Sequence, residues 1–320
     1  MTAFDAAVHH HDTCIAALGQ TIWVGSEPTF TDRQAQTPEW MNTALGGDKQ
    51  LRALALVRVM GKSDPAGLVL RSSGRRYPGE EQARWNFGIY RKRDGSALWR
   101  GPPDPLLLPE WPAGAPDLDA FAACLANGLE RRGWRVQHRL VADQSARCLD
   151  ISPPPDPDCA SGQLQKSVPL TLALLTADLS EGCPPAAQID LPALASVRLC
   201  LSLLDCLAES ALACQLPALV IAGESPPVDD TVELTTITPD PAVIEVNTAP
   251  SVHAVEFLAR SRAIYGAAAQ LGLTPYRLYF NGAVADSGGG GQITLGGPSP
   301  NASPFVIEPR LLPRLVRFLN

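Results

Sequence analysis

Apolar residues recur along the chain at two spacings, one helical and one extended. In "DKQLRALALVRVMGK", Leu51, Leu54, Ala55 and Val59 fall on one helical stripe and Gly61 supplies a stop, which predicts a helix. The same periodicity predicts helices over Leu118–Arg131, Leu191–Gln215 and "HAVEFLARSRAIYGAAAQLG". Alternating or continuous short apolar runs predict strands over Gln20–Glu27, "GLVLRSSG", "RWNFGIYRKRDG", "ALWRG", "WRVQHRLVA" and "VPLTLALLTA". Further strands are predicted at "PALVIAG", "VELTTIT", "AVIEVN", "YRLYFNG" and "QITLGG". The Asp94-Gly95 pair reads as the turn of a hairpin between the second and third of these runs to follow Gly61, "RWNFGIYRKRDG" and "ALWRG". Residues 151–163, in "DISPPPDPDCASGQ", suit neither element and read as a proline-rich loop between two halves of one domain spanning 1–320. Strands arrive in clusters, two of them joined by the short "TPDP" turn, so the expected class is α+β with a largely antiparallel sheet and flanking helices.

Composition narrows the function classes. A hydrophobic content of 45% with 18% charged residues supports a sizeable core. A formal charge of −7 argues against a general nucleic-acid partner, because counterion displacement from phosphates needs a basic footprint. The N-terminal residues lack the charged start and apolar core of a secretory signal. The longest apolar stretch is broken by Arg198, Asp205 and Glu209, which disfavours a membrane span, so a soluble cytoplasmic protein is expected. The eight cysteines form no CxxC pair and read as small buried apolar residues rather than zinc ligands. His9, His10 and His11 are consecutive and do not converge on one ion, and His138 and His253 are isolated, so no Ser-His-Asp or Cys-His set can be assembled by spacing.

Two carboxylates stand out. In "PDPAVIEVN" the strand period puts Glu245 and Asn247 on one face, where a carboxylate needs solvent, an arginine or a cation such as magnesium. Glu27 ends another strand, just before a proline that keeps its backbone extended; it is either an exposed strand end or a second ligand. The segment "DSGGGGQITLGG" offers close backbone approach to an anion at Gly289, Gly290 and Gly291, followed by Gln292, or else is a flexible turn. Arg71–Arg100 carries eight basic residues, of which Arg76 and Arg84 could pair with phosphates, while Arg91–Arg93 read as a solvated tip.

The phrases "WVGSEPTFTD", "EWMNTALGGDKQ", "RRYPGEEQARWNFGIYRKRDGSALWR", "PDPAVIEVN", "GGGGQITLGG" and "SPFVIEP", in this order, resemble a bacterial amidoligase family often fused to transglutaminase-like domains. The resemblance implies kinship with glutamine synthetase and glutamate–cysteine ligase and a glutamine-synthetase-like antiparallel sheet curved around the active site. It implies ATP and Mg2+ as cofactors and an acyl phosphate attacked by an amine. Its substrates would be small-molecule or peptide carboxylates and amines, with a transglutaminase-like protein as partner and neither nucleic acid nor membrane. Mapped onto this chain, Glu27, Glu245 and Asn247 would hold the metal, Arg84 would join the two carboxylates in catalysis, and Arg76 with Gly289, Gly290, Gly291 and Gln292 would face the nucleotide. The chain departs from related sequences at Gly291-Gln292, where they carry Asn-His, and at Ala249, where they carry His. The family pattern also continues beyond Asn320, which implies a C-terminally shortened member. The competing expectation is a non-catalytic nucleotide-, peptide- or protein-binding module on the same fold, favoured by the absent histidines.

Overall fold

The computed structural model describes residues 2–110, 114–139, 146–155, 170–177, 185–287 and 291–320. In chain order the elements are α1 (Ala3–Ala17), β1 (Trp23–Glu27), β2 (Thr29–Phe30), α2 (Pro38–Met41), α3 (Gly47–Ser63), β3 (Leu68–Ser73) and β4 (Trp85–Lys92). Then follow α4 (Leu118–Arg131), β5 (Arg135–Arg139), β6 (Ala146–Ser152), β7 (Leu170–Ala177), β8 (Ala186–Leu191), α5 (Val197–Ala213) and β9 (Leu219–Gly223). The chain closes with β10 (Val232–Asp240), β11 (Val243–Asn247), α6 (Ala254–Gln270), β12 (Tyr276–Leu278), β13 (Val284–Asp286), β14 (Gln292–Gly296), α7 (Pro304–Ile307) and α8 (Leu311–Leu319). The architecture is mixed α and β with a large, mostly antiparallel open sheet. Among the described residues no helix is long and apolar enough to cross a membrane.

The chain forms two compact units, one of residues 57–234 and one of residues 1–56 with 235–320. The division falls within α3 and β10, not at residues 151–163. Of that predicted loop, Ile151 and Ser152 complete β6, and everything past Pro155 up to Gln163 lies outside the described residues.

In the 57–234 unit the strand order is β4-β3-β9-β8-β7-β6-β5. Only the β3–β9 and β8–β9 pairs are parallel. α4 and α5 pack together on its core, where Phe121, Leu125, Leu129, Leu203 and Leu207 are fully buried with Leu149, Leu172 and Ile189 from the sheet. Asp117 caps α4 by accepting from the Ala120 N–H, so the amphipathic run starts where its cap allows. The expected Asp94-Gly95 hairpin does not form. β4 pairs with β3 instead, and residues 97–101 form no strand. The Leu98 N–H donates to the Ala66 carbonyl and Trp99 Nε1 to the Pro102 carbonyl, so burial of the two side chains is met by loop hydrogen bonds.

In the other unit, β14 pairs with β1, and β2-β11-β10 form a second antiparallel run. The back face carries Phe30, Ile244, Val246 and Ile237, all fully buried, and Phe30 meets Tyr265 of α6 edge to face at 5.2 Å. That packing leaves the other face for polar residues.

The N-terminal residues form a helix that periodicity alone did not disclose. None of its residues is buried, and polar ties hold it. Asp5 pairs with Arg262 at 2.8 Å, and Asp12 caps α6 by accepting from the N–H groups of Ala254 and Val255 at 2.9 and 3.0 Å. Burial opposes ionisation of Asp12, but the Val255 and Ala254 N–H groups outweigh it and hold the pKa below the ordinary value of 3.8. A lowered folded pKa means this stabilisation is present above that value and fades as pH falls through the folded one. Asp12→Ala is expected to cost about 1 kcal/mol at neutral pH in urea unfolding, with the gap to wild type closing as the acid limb is reached.

Candidate active site

The polar face is built by register. Between β2 and β11, Phe30 stands opposite Ile244 and Thr29 opposite Glu245. The same register runs back through Pro28, whose carbonyl accepts from the Val246 N–H, and Ser26, whose carbonyl accepts from the Thr248 N–H. Glu27 therefore lies directly across from Asn247. Glu27 and Asn247 sit between those bonded pairs, where opposing side chains come closest, with Cα atoms about 4.5 Å apart. On the outer side Glu27 pairs in register with Gln292 of β14; on the inner side Asn247 faces Thr236 and Glu245 faces Thr238 of β10.

Two ranks of side chains result on one face. The first runs Gln292, Glu27, Asn247, Thr236, and the second Thr29, Glu245, Thr238. Glu27 and Glu245 are diagonal neighbours, a relation that places residues about 7–8 Å apart in an antiparallel sheet, with their Cβ atoms somewhat closer. Asn247 Nδ2 donates to Glu245 Oε1 at 2.8 Å, so the amide oxygen points elsewhere as an acceptor. The Glu27 side chain is half-buried and makes no hydrogen bond or ion pair among the described residues. Those residues contain no group of three or more His, Cys, Asp or Glu side chains arranged to hold a metal.

A third rank continues the face. Thr31 is fully buried and its hydroxyl donates to the Ala242 carbonyl at 3.0 Å. Ala242 closes the turn from β10 to β11 with φ of +71°, a conformation disfavoured for any side chain with a Cβ. Its N–H donates to the Thr43 carbonyl, and Arg277 Nη2 donates to its carbonyl at 2.9 Å, so the strained turn is held on both sides. Beside it Lys49, wholly buried, donates to the carbonyls of Thr43 and Asp240 at 3.0 and 2.8 Å.

Gly291 is described and lies against the backbone of Glu27, where an added Cβ would meet the Glu27 carbonyl oxygen at 3.4 Å. Gly289 and Gly290 lie outside the described residues. Arg76 and Arg84 belong to the 57–234 unit and both serve Glu80: Arg76 Nε donates to its carbonyl at 3.0 Å, and Arg84 pairs with its carboxylate at 2.8 Å while stacking on Tyr77 at 4.2 Å. The Arg84 guanidinium and the Tyr77 N–H hold the Glu80 carboxyl below its usual range.

A family profile described as "Putative amidoligase enzyme (DUF2126)" matches residues 2–133 and 165–320. The chain belongs to this family. Neither a curated protein nor a solved structure matches it. Membership of an amidoligase family makes the chain a ligase-type protein, and its two matched segments contain every residue of the polar face. The threonines of that face, Thr29, Thr31, Thr236 and Thr238, escaped sequence reasoning, as did Ser287 and Arg277 beside it. Ser287 and Thr29 share a buried hydroxyl–hydroxyl hydrogen bond of 2.8 Å. Position was the signal for two of them, Thr29 two residues after Glu27 and Ser287 just before the glycine run.

Proposed function

We propose that this amidoligase family member is an ATP- and magnesium-dependent carboxylate–amine ligase. The γ-phosphoryl group of ATP passes to a substrate carboxylate, giving ADP and an acyl phosphate; an amine then displaces phosphate to form an amide or peptide-like bond. The observation that supports this reading most is the diagonal pair Glu27 and Glu245, with Asn247 across from one and bonded to the other. Oxygen donors of this kind suit magnesium, which keeps several waters and takes only one or two protein carboxylates beside substrate phosphates. Bound there, the ion would supply neutralisation of phosphate charge.

The chain's own residues divide the remaining work. Glu27 and Glu245 would bind and orient the metal, and Asn247 would add its amide oxygen while fixing the Glu245 carboxylate. Gly289, Gly290 and Gly291 would offer backbone N–H groups to phosphate oxygens, and Gln292 would cover the outer side of Glu27. Thr29, Thr236 and Thr238 give the face hydroxyls rather than further charge. Kinship with the glutamine synthetase superfamily and a transglutaminase-like partner belong to the same proposal.

Calorimetric titration of ATP with and without magnesium tests it. Saturable binding that requires magnesium is the expected result, followed by ADP release when acid and amine pairs are supplied. No binding under either condition would replace the ligase with a non-catalytic peptide- or protein-binding module.

A further inference from the structure

A cavity of about 500 Å³ lies within the unit of residues 1–56 and 235–320, between the second half of α1, the link to β1, the β1–β14 ladder and the start of α6. Its walls are apolar: Ile15 of α1, Ile22 in the link, the register pair Val24 and Leu295, and Val252 just before α6. Val24 and Glu27 stand three residues apart on β1, and strand alternation sends their side chains to opposite faces. The cavity is therefore separate from the polar face, and its volume falls in the range that holds a small organic molecule.

The only acidic side chain in the lining is Asp12. Its two oxygens each accept one backbone N–H, from Ala254 and Val255, and each keeps a further acceptor position. No lysine or arginine is among the described residues that line the cavity. His11 Nδ1 lies 3.5 Å from Asp12 Oδ1, and Gln20, Thr21 and His253 complete the polar part of the lining with side chains that make no hydrogen bond among the described residues. An amide oxygen, a hydroxyl and a neutral imidazole nitrogen can each accept a hydrogen bond. An apolar space edged by one carboxylate and several acceptors complements an ammonium group on an apolar body and opposes a carboxylate on the same body.

We propose that this cavity binds a small organic amine, with the ammonium on Asp12 and the apolar body against Ile15, Val24, Val252 and Leu295. The site goes beyond the ligase reading and does not rest on it, since no residue of the polar face lines the cavity.

Calorimetric titration of the protein with hexylamine, hexanol and hexanoate, at about pH 8 where imidazoles are ordinarily neutral, tests the proposal. Hexylamine is expected to bind saturably and about ten- to a hundredfold more tightly than hexanol, the worth of a charge-assisted hydrogen bond, with hexanoate weaker still. Asp12→Asn should bring hexylamine down to the level of hexanol. Because Asp12 also caps α6, Val252→Phe supplies a second variant that leaves the cap in place and fills the cavity; it should lose binding of all three probes. Three probes of equal affinity would reduce the site to an apolar hollow and overturn the inference. Hexylamine binding unchanged in both variants would put the amine elsewhere, and no saturable binding of hexylamine to wild type would remove the site; either result overturns the inference and leaves the ligase reading untouched.

Discussion

Glu245→Gln is expected to abolish magnesium-dependent nucleotide binding, weakening it by about a hundredfold or more, since even residues that only support metal ligands cost about 10–100-fold when changed. The substitution preserves shape and can still accept from Asn247 Nδ2, which now bonds Glu245 Oε1 at 2.8 Å. What it removes is the charge on the strand position across from Thr29 and diagonal to Glu27. Glu27→Gln should act in the same direction, and the double variant should lose little more than either single one, because two ligands of one ion act as a unit. Thermal unfolding of the variants is expected to match wild type, as both carboxylates lie half-buried on the polar face, away from the packing of Phe30, Ile244 and Val246. Additive losses from the two substitutions would separate the carboxylates into different sites and remove the shared-metal reading.

The largest expected loss of stability in the same unit comes from Trp40→Ala. Trp40 is fully buried, its Nε1 donates to Asp48 Oδ2 at 2.8 Å, and the Lys49 ammonium sits 5.5 Å from its ring centroid. Truncating a buried tryptophan costs about 3–5 kcal/mol through lost transfer energy and the cavity left behind. Here the cavity would open beside Lys49, whose ammonium bridges the Thr43 and Asp240 carbonyls that flank the Ala242 turn. The midpoint of thermal unfolding is expected to fall by about 2–4 °C per kcal/mol lost. Trp40→Phe keeps most of the apolar area and should cost about 1–2 kcal/mol, the hydrogen bond to Asp48 included. A Trp40→Ala midpoint within a degree or two of wild type would mean that the site around Lys49 repacks freely.

Glu245 and Asn247 were legible as a same-face pair because the period of a strand is fixed at two residues. Glu27 was legible only as a strand-end carboxylate, since nothing local says which strand it will face. The pairing of Arg84 with Glu80 was invisible for another reason: arginine suits phosphate and carboxylate equally, and the partner four residues away was chosen by the backbone conformation around Tyr77. The Asp94-Gly95 turn signal was sound as local chemistry, yet the strand expected after it is absent because β4 already has β3 on one side and Leu98 and Trp99 are drawn into the core.

The sequence by itself determined the class of fold, the positions of most long elements and the same-face placement of Glu245 and Asn247, because apolar periodicity and strand alternation are local properties. The tertiary structure alone decided that Glu27 lies across from Asn247, that Thr29 links Glu245 to Ser287, and that Arg277 spans three segments. Apart from the Arg277–Ser287 bond, those contacts join residues at least 35 positions apart, and in one case 258, through register and turn geometry that no local spacing encodes.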